Sequence, residues 1–178
     1  MPASSIDRTK DFTSVLIADL STASQRVAVD DTPGSRRDLV RTSLAGVEGM
    51  IWFLKVQVFE RRRTVSSVSQ IKLDAIFERS YAVAENGSVR EIAKFLPTLT
   101  TIRMLAAVIA RDFPTFDPDF KGESWRRVRA AIEIRHRITH PKSVSDLDIT
   151  SEDAKSAEAA FNWVLAFVQL AAAAGAFG

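Results

Sequence analysis

The sequence predicts an all-α protein, an up-and-down bundle of about five to six helices. Apolar residues recur at helical spacings of three and four along several long segments, and no stretch sustains the alternation of a β-strand. The chain has only 7 glycines and 6 prolines in 178 residues, mostly between these segments, so its regular elements are long. Such a length is typical of one domain. We expect a single domain over residues 1–178, with a loosely ordered start at residues 1–10.

The first two helices are predicted on either side of a turn. Residues 11–29 carry an apolar stripe, and the sequence Asp-Asp-Thr-Pro-Gly at residues 30–34 predicts the turn. The strongest helix follows, because its apolar residues alternate spacings of four and three, which places them on one face: Val40, Leu44, Val47, Ile51, Leu54 and Val58. Gly46 and Gly49 in this helix favour the close approach of a neighbouring helix.

The remaining helices are predicted from similar spacings. A third helix covers residues 69–84 and ends at Asn86-Gly87, a short helical turn follows at residues 88–95, and a fourth helix covers residues 98–113. The next begins near residues 122–124, with Ser124 as its N-cap. The last helix starts after Thr150-x-x-Asp153, a spacing that resembles a capping box.

Composition excludes several classes of function. The chain has no cysteine, which removes disulfides, thiolate nucleophiles and cysteine-based zinc sites, and its formal net charge is only +2. Its start lacks the apolar core of a signal peptide, and the apolar run at residues 164–178 is too short and alanine-rich for a membrane span. We therefore expect a soluble, cytoplasmic protein that does not interact with membranes.

Both histidines of the chain lie in one short segment, residues 135–141, with the sequence Arg-His-Arg-Ile-Thr-His-Pro. Arg135 falls on the otherwise apolar face of the predicted helix, where a guanidinium needs a carboxylate, a carbonyl or an anionic ligand. A structural ion pair and a phosphate site both satisfy this need. Glu48, at the margin of the apolar stripe of the second helix, is a candidate partner.

His140 precedes Pro141 and therefore lies near a helix C-terminus, where the helix dipole favours the imidazolium form. A group that titrates near neutrality suits proton transfer at a ribose hydroxyl. Arg135 and His140 are five residues apart, so on a regular helix they diverge by roughly 140°. Either the last turn is distorted before the proline, or the two residues act across an interface between protomers.

The surroundings of these residues are basic. Between Lys121 and Lys142 there are seven cationic and two anionic side chains, a local charge of +5. Such a concentration suits a phosphate backbone, and it also suits a solvated helix face with pairs such as Arg129 to Glu133. We expect three of these cations to bind RNA: Arg129, Arg137 and Lys142.

The pattern of Arg, a polar residue, three further positions and His, followed by Pro-Lys, resembles the signature of HEPN domains. Here it comprises Arg135, His136, residues 137–139, His140 and residues 141–142. In that family the motif ends a late helix of an all-α bundle and one more long helix follows. The helix predicted after Thr150 agrees with this order, so the resemblance implies a HEPN-like fold.

The resemblance implies a metal-independent endoribonuclease of a toxin–antitoxin, phage-defence or RNA-processing system. Members act as homodimers whose two motifs meet in one cleft. By this analogy Arg135 holds the scissile phosphate, His140 is the acid and base for attack by the 2′-hydroxyl, and His136 helps to orient the site. RNA is the substrate, no cofactor is needed, and an antitoxin protein is a further partner. One subgroup has a modified tyrosine two positions after the histidine, where this chain has Lys142.

Two other hypotheses remain. Some HEPN members are non-catalytic modules that bind RNA, a nucleotide or a protein partner, and the signature fits them too. Alternatively, His136 and His140, four residues apart, could both ligate zinc. This helix lacks the glutamate of a His-Glu-x-x-His site and the chain has no third histidine, so we expect no metal centre.

Overall fold

The computed structural model describes residues 5–62 and 69–177 of the chain, with side chains for residues 11–61 and 69–177. The described elements are α1 (Ser5–Val29), α2 (Pro33–Arg62), α3 (Gln70–Ile76), β1 (Arg79–Val83), β2 (Val89–Ala93), α4 (Thr98–Asp112), α5 (Glu123–Thr139), a 3-10 turn (Val144–Leu147) and α6 (Ser151–Ala173). Six α-helices confirm the predicted all-α bundle. Residues 1–4 of the predicted loosely ordered start lie outside the described residues.

Contacts divide the chain into two compact units. The first unit comprises Met1–Met50 and Pro118–Leu170, and the second comprises Ile51–Asp117 and Ala171–Gly178. The chain passes from one unit to the other within α2, after Asp117 and within α6. The single domain expected over residues 1–178 stays a prediction.

In the first unit, α1, the first half of α2, α5 and most of α6 pack around one apolar core. The first half of the stripe predicted on α2 is buried there, together with residues that recur every three or four positions on α5 and α6, namely Val40, Leu44, Val47, Val128, Ile132, Phe161 and Val164. Gly46 faces the ring of Phe161 on α6, and Gly49 faces Phe12 and Leu16 on α1. The close approach predicted at both glycines is therefore present.

Two capping predictions in the first unit have different outcomes. The box predicted before α6 is confirmed, because Thr150 N–H donates to Asp153 (3.0 Å) and Asp153 N–H donates to the Thr150 hydroxyl (3.1 Å). Ser124 as the N-cap of α5 is wrong, since Gly122 occupies that position. The preceding turn is closed by Asp119, whose carboxylate accepts N–H bonds from Lys121 and Gly122 at 2.8 Å, so the helix starts two residues earlier.

The second unit contains the main correction to the predicted secondary structure. The third helix ends at Ile76. Glu78 has a φ of 59°, a left-handed backbone conformation through which an α-helix cannot continue. The buried amine of Lys55 on α2 lies 3.2 Å from the Glu78 carboxylate and so stabilises this bend. Residues 79–93 then form an antiparallel hairpin with Asn86-Gly87 in its turn, so the helices predicted at residues 77–84 and 88–95 are wrong.

The core of the second unit lies between the end of α2 and α4. It consists of Leu54 and Val58 on α2, Leu73 and Ile76 on α3, and residues spaced three and four apart on α4, namely Ile102, Leu105 and Ile109. Phe77 adds edge-to-face ring contacts with Trp52 and Phe59, whose centroids lie 6.1 and 5.2 Å away. The hairpin lies outside this core, and its strand residues are exposed or half-buried.

One helix in the described part of the chain, α6, is long and apolar enough to cross a bilayer, judged by length and composition. Of its most apolar stretch, 44% is buried against the rest of the protein. A buried core helix meets the same criterion. The expectations of a cytoplasmic location and of no membrane partner stay predictions.

Candidate nucleic-acid site at the end of α5

Helix α5 holds the candidate motif because one of its faces is buried and a proline ends it. Trp125, Val128, Ile132 and Ile138 are buried on one side of the helix. The last helical hydrogen bond runs from the N–H of His140 to the carbonyl of His136 at 3.1 Å. His140 then leaves the helical conformation, with φ of −126° and ψ of 57°, as expected for a residue before proline.

Arg135 is half-buried and its charge is met by α2. Its Nη2 atom lies 2.6 Å from a carboxylate oxygen of Glu48. The pairing that the sequence suggested is therefore present, and it removes the cost of a guanidinium on an apolar helix face. A guanidinium has five N–H donors, so a contact through one nitrogen leaves others for a ligand, and 36% of the side chain is exposed.

The two imidazoles are exposed. Within residues 5–62 and 69–177, neither His136 nor His140 makes a side-chain hydrogen bond, ion pair or ring contact. Both lie at the C-terminal end of α5. The structure thus leaves both side chains accessible to a ligand. No contact with the described residues fixes which nitrogen carries the proton.

The basic surroundings are weaker than the sequence indicates. Four of the seven cations have carboxylate partners: Arg126 with Glu123, Arg127 with Glu123 and Glu152, Arg135 with Glu48, and Arg137 with Asp153. Three of these partners, Glu48, Glu152 and Asp153, come from other elements. Adding their three negative charges to the local +5 leaves +2. The sequence could not reveal this compensation, because it depends on which helices become neighbours.

The three predicted RNA-binding residues lie in different environments. Arg129 and Lys142 are exposed and make no ion pair with the described residues, so the alternative pair of Arg129 with Glu133 does not form. Arg137 contacts Asp153 at 2.9 Å and borders a groove of about 450 Å³ between α5 and α6. Three carboxylates line that groove, an arrangement that disfavours a phosphate at Arg137: Glu133, Glu152 and Asp153.

Sequence reasoning missed the residue that fixes the segment after the motif. The carboxylate of Asp146 accepts the backbone N–H groups of Lys142 (2.8 Å) and Ser143 (2.9 Å). The bond from Lys142, helped by those from Ser143, outweighs desolvation and lowers the pKa of Asp146 below its ordinary value. A capping box of Ser143 with Asp146 was the signal that could have found it. Asp146 thereby fixes the backbone of Lys142, which lies two residues beyond His140.

The pKa of Asp153 is set by opposing effects. Burial raises it, but hydrogen bonds from Thr150 and from Arg137 outweigh burial and hold the pKa below its ordinary 3.8. A depressed carboxyl pKa stabilises the folded state above the unfolded pKa of about 3.9, and this stabilisation is lost as the pH falls through the folded value. Asp153 therefore stabilises the start of α6 more strongly where it is ionised.

We expect Asp153→Asn to lower the free energy of unfolding by about 1 kcal/mol at pH 7, because the charged cap of α6 is lost. The difference from wild type should shrink below about pH 4, since a protonated Asp153 and an asparagine are both uncharged. Urea unfolding at pH 7 and pH 3 measures both values. Asp117→Asn, at an exposed loop position, is the control and should change stability by less than about 0.5 kcal/mol. A constant difference at both pH values would contradict this interpretation.

Metal ligation by the histidines has little support from their neighbours. Among the described residues, no three His, Asp or Glu side chains lie close enough together to hold a metal ion. His136 and His140 therefore have no third ligand among the side chains that the structure describes.

Comparison of the chain with protein-family models, with curated proteins and with solved structures gives no match in any of the three. Fold and site together define an all-α protein with an arginine and two histidines at the end of its penultimate helix. The HEPN resemblance depends on the motif residues and on the order of the helices.

Proposed function

We propose that the chain is a metal-independent endoribonuclease of the HEPN type. The proposal depends on one observation, the state of two side chains of α5. The imidazole of His140 is exposed at the end of this helix and is not bound by any described side chain. Arg135, on the same helix, is held by Glu48 of α2. A free imidazole can exchange protons with a substrate. An anchored guanidinium can bind a phosphate through its remaining donors.

The proposed reaction is transfer of the phosphoryl group to the 2′-hydroxyl. His140 removes the proton of the 2′-hydroxyl, whose oxygen forms a bond to phosphorus, and the bond to the 5′-oxygen breaks. The leaving 5′-oxygen takes a proton from an imidazolium. Arg135 offsets the negative charge that accumulates on the phosphoryl oxygens. The products are a 2′,3′-cyclic phosphate and a 5′-hydroxyl.

The geometry of α5 favours a site built from two protomers. The helix continues through Thr139, so Arg135 and His140 diverge by roughly 140°. A single phosphate cannot easily reach two side chains on different sides of one helix. In a homodimer, Arg135 of one protomer and His140 of its partner can share one phosphate, and a two-fold axis then creates two such sites.

A non-catalytic module that binds RNA, a nucleotide or a protein partner is the second candidate function. The ion pairs favour it: Arg135 already has a carboxylate partner, and three further arginines of α5 are neutralised in the same way. In that case Arg135 has the structural role that the sequence also allows. An antitoxin partner and a setting in toxin–antitoxin, phage-defence or RNA-processing systems stay predictions.

Incubation of the purified protein with total RNA in excess EDTA tests the proposal. We expect cleavage that the chelator does not reduce, because the reaction uses only side chains of the protein. The fragments should end in a 2′,3′-cyclic phosphate and begin with a 5′-hydroxyl, which end-specific ligation can detect. Cleavage that EDTA abolishes, or fragments with a 3′-hydroxyl, would contradict the mechanism. Binding without cleavage by a folded sample would favour the non-catalytic module.

A further inference from the structure

The hairpin of the second unit has two open edges. Ala84 N–H donates to Ser88 and Lys94 N–H donates to Glu78, which marks the even-numbered residues as the hydrogen-bonded pairs of the ladder. The backbone groups of the odd-numbered residues of each strand therefore point away from the hairpin. No third strand pairs with either edge in the described part of the chain.

Apolar side chains along the hairpin are exposed as well. Tyr81, Val83 and Val89 share one face according to the register, and they are exposed by 51%, 72% and 63%. A two-stranded hairpin alone is only marginally stable, and an open edge with apolar neighbours is a template for another strand. The hairpin is therefore an incomplete sheet.

Charge decides which edge can pair with a second copy of itself. In registers centred on Arg90, Glu91 or Ile92, a two-fold axis places like charges opposite each other along β2: Arg90 on Arg90, Glu91 on Glu91, or Arg90 on Lys94. Such pairs are destabilising. Along β1 the corresponding registers oppose no like charges. In these three registers the β2 edge is thus protected against self-pairing, and the β1 edge is not.

The register of β1 centred on Ala82 is complementary along its length. It places Tyr81 opposite Val83 of the second copy, an aromatic and β-branched pair of the kind that stabilises sheets. It also brings Arg79 near Glu85 of the second copy. Within one chain Arg79 makes a long, exposed ion pair of 3.6 Å with Glu91 and lies over the Phe77 ring, 5.8 Å from its centroid. The exposed ion pair contributes little and is easily exchanged.

We propose that the β1 edge pairs antiparallel with β1 of a second copy about a two-fold axis at Ala82, forming a four-stranded sheet. Because such an axis repeats the same contacts in both directions, the assembly closes as a dimer. Tyr81 and Val83 of both copies then form one continuous apolar strip on the shared sheet. The pairing goes beyond the proposed reaction and does not depend on it, so His140→Ala should leave it unchanged.

Cysteine substitution tests this interface directly, because the chain has no cysteine of its own. In the proposed register Ala82 and its copy form a non-hydrogen-bonded pair, with Cα atoms about 4.5 Å apart, a distance that a disulfide can span. We expect Ala82→Cys to become a disulfide-linked dimer on mild oxidation. Arg90→Cys is the matched control, since Arg90 pairs with Ala82 across the hairpin and lies on the other edge. It should crosslink at least about tenfold less.

Charge reversal supplies a second measurement. Arg79→Glu alone should lower the mean mass in light scattering, and adding Glu85→Arg should restore it, because the pair is then reversed on both sides. Circular dichroism confirms that each variant is folded. Equal crosslinking of Ala82→Cys and Arg90→Cys, a monomeric wild type, or a mean mass insensitive to these changes would each overturn the proposal.

Discussion

Replacing His140 by alanine should reduce RNA cleavage by about 10² to 10⁴, because the group that exchanges protons with the 2′-hydroxyl is lost. The exposed position of His140 after the last turn of α5 means that the fold should tolerate the change. Initial rates on a short fluorescent RNA, with unfolding curves of both proteins, give the comparison. A folded variant with undiminished activity would exclude His140 from the reaction.

His136→Ala is the matched control for this prediction. It removes the other imidazole, which is also exposed and lies one helical turn earlier. Since His136 is proposed only to orient the site, its loss should cost clearly less activity than the loss of His140. Equal losses would indicate that both imidazoles take part in proton transfer.

The Glu48 and Arg135 pair separates the catalytic and structural interpretations of Arg135. If the guanidinium binds the phosphate, Arg135→Gln should remove activity, whereas Glu48→Gln should retain most of it, because an amide oxygen can still accept the contact. If Arg135 serves only the ion pair, both substitutions should lower the stability of the fold by similar amounts, and any loss of activity should follow from that loss of stability. Unfolding curves and rates measured together on the two variants therefore distinguish these roles.

Mixing two inactive variants tests the two-protomer site. Dimers that contain one Arg135→Gln subunit and one His140→Ala subunit have one site with both native residues if the site is shared between protomers. We expect cleavage to return when the variants are allowed to exchange subunits. A mixture as inactive as its components would show that Arg135 and His140 of the same chain act together.

The helices could be predicted because each buries a stripe of apolar residues that recur every three or four positions. The hairpin has no such pattern. In β1, Arg79, Tyr81 and Val83 alternate with small residues, and neither face is fully buried. Alternation of polar and apolar residues arises only when one face of a strand is buried. The remaining clue was Asn86-Gly87, which is typical of hairpin turns and of helix ends alike.

The candidate site was predictable only in part, for a related reason. Arg135 lies on an apolar helix face, and that local conflict signals a need for a partner, which Glu48 supplies. Arg137 gives no such signal, because it lies at the edge of the helix and meets Asp153 only after α6 packs beside α5. Carboxylates on neighbouring helices neutralise part of the positive charge of α5, and these neighbours are set by the tertiary structure. Summing the formal charges of one sequence segment therefore overestimates the local electrostatic potential.

Gly46→Ala and Gly49→Ala should differ in unfolding free energy by about 2 kcal/mol, although both change glycine to alanine within α2. At Gly49 the new methyl would lie 3.4 Å from Phe12, an ordinary contact, so the gain in helix propensity should leave the protein as stable or up to about 1 kcal/mol more stable. At Gly46 the methyl would overlap the buried ring of Phe161, with its Cδ2 atom 2.8 Å away. Chemical denaturation of the two variants measures the difference.

The cost at Gly46 arises from the packing of α2 against α6, so a smaller side chain at Phe161 should relieve it. Phe161→Leu is destabilising alone, but we expect it to cost less in the Gly46→Ala background, a coupling of roughly 1 kcal/mol in a double-mutant cycle. Gly46 lies only two residues before Glu48, so displacement of α2 should also disturb the contact with Arg135. If the Gly46→Ala variant were as stable as Gly49→Ala and fully active, this prediction would be wrong. Close packing at Gly46 would then be needed neither to position α2 nor to maintain the candidate site.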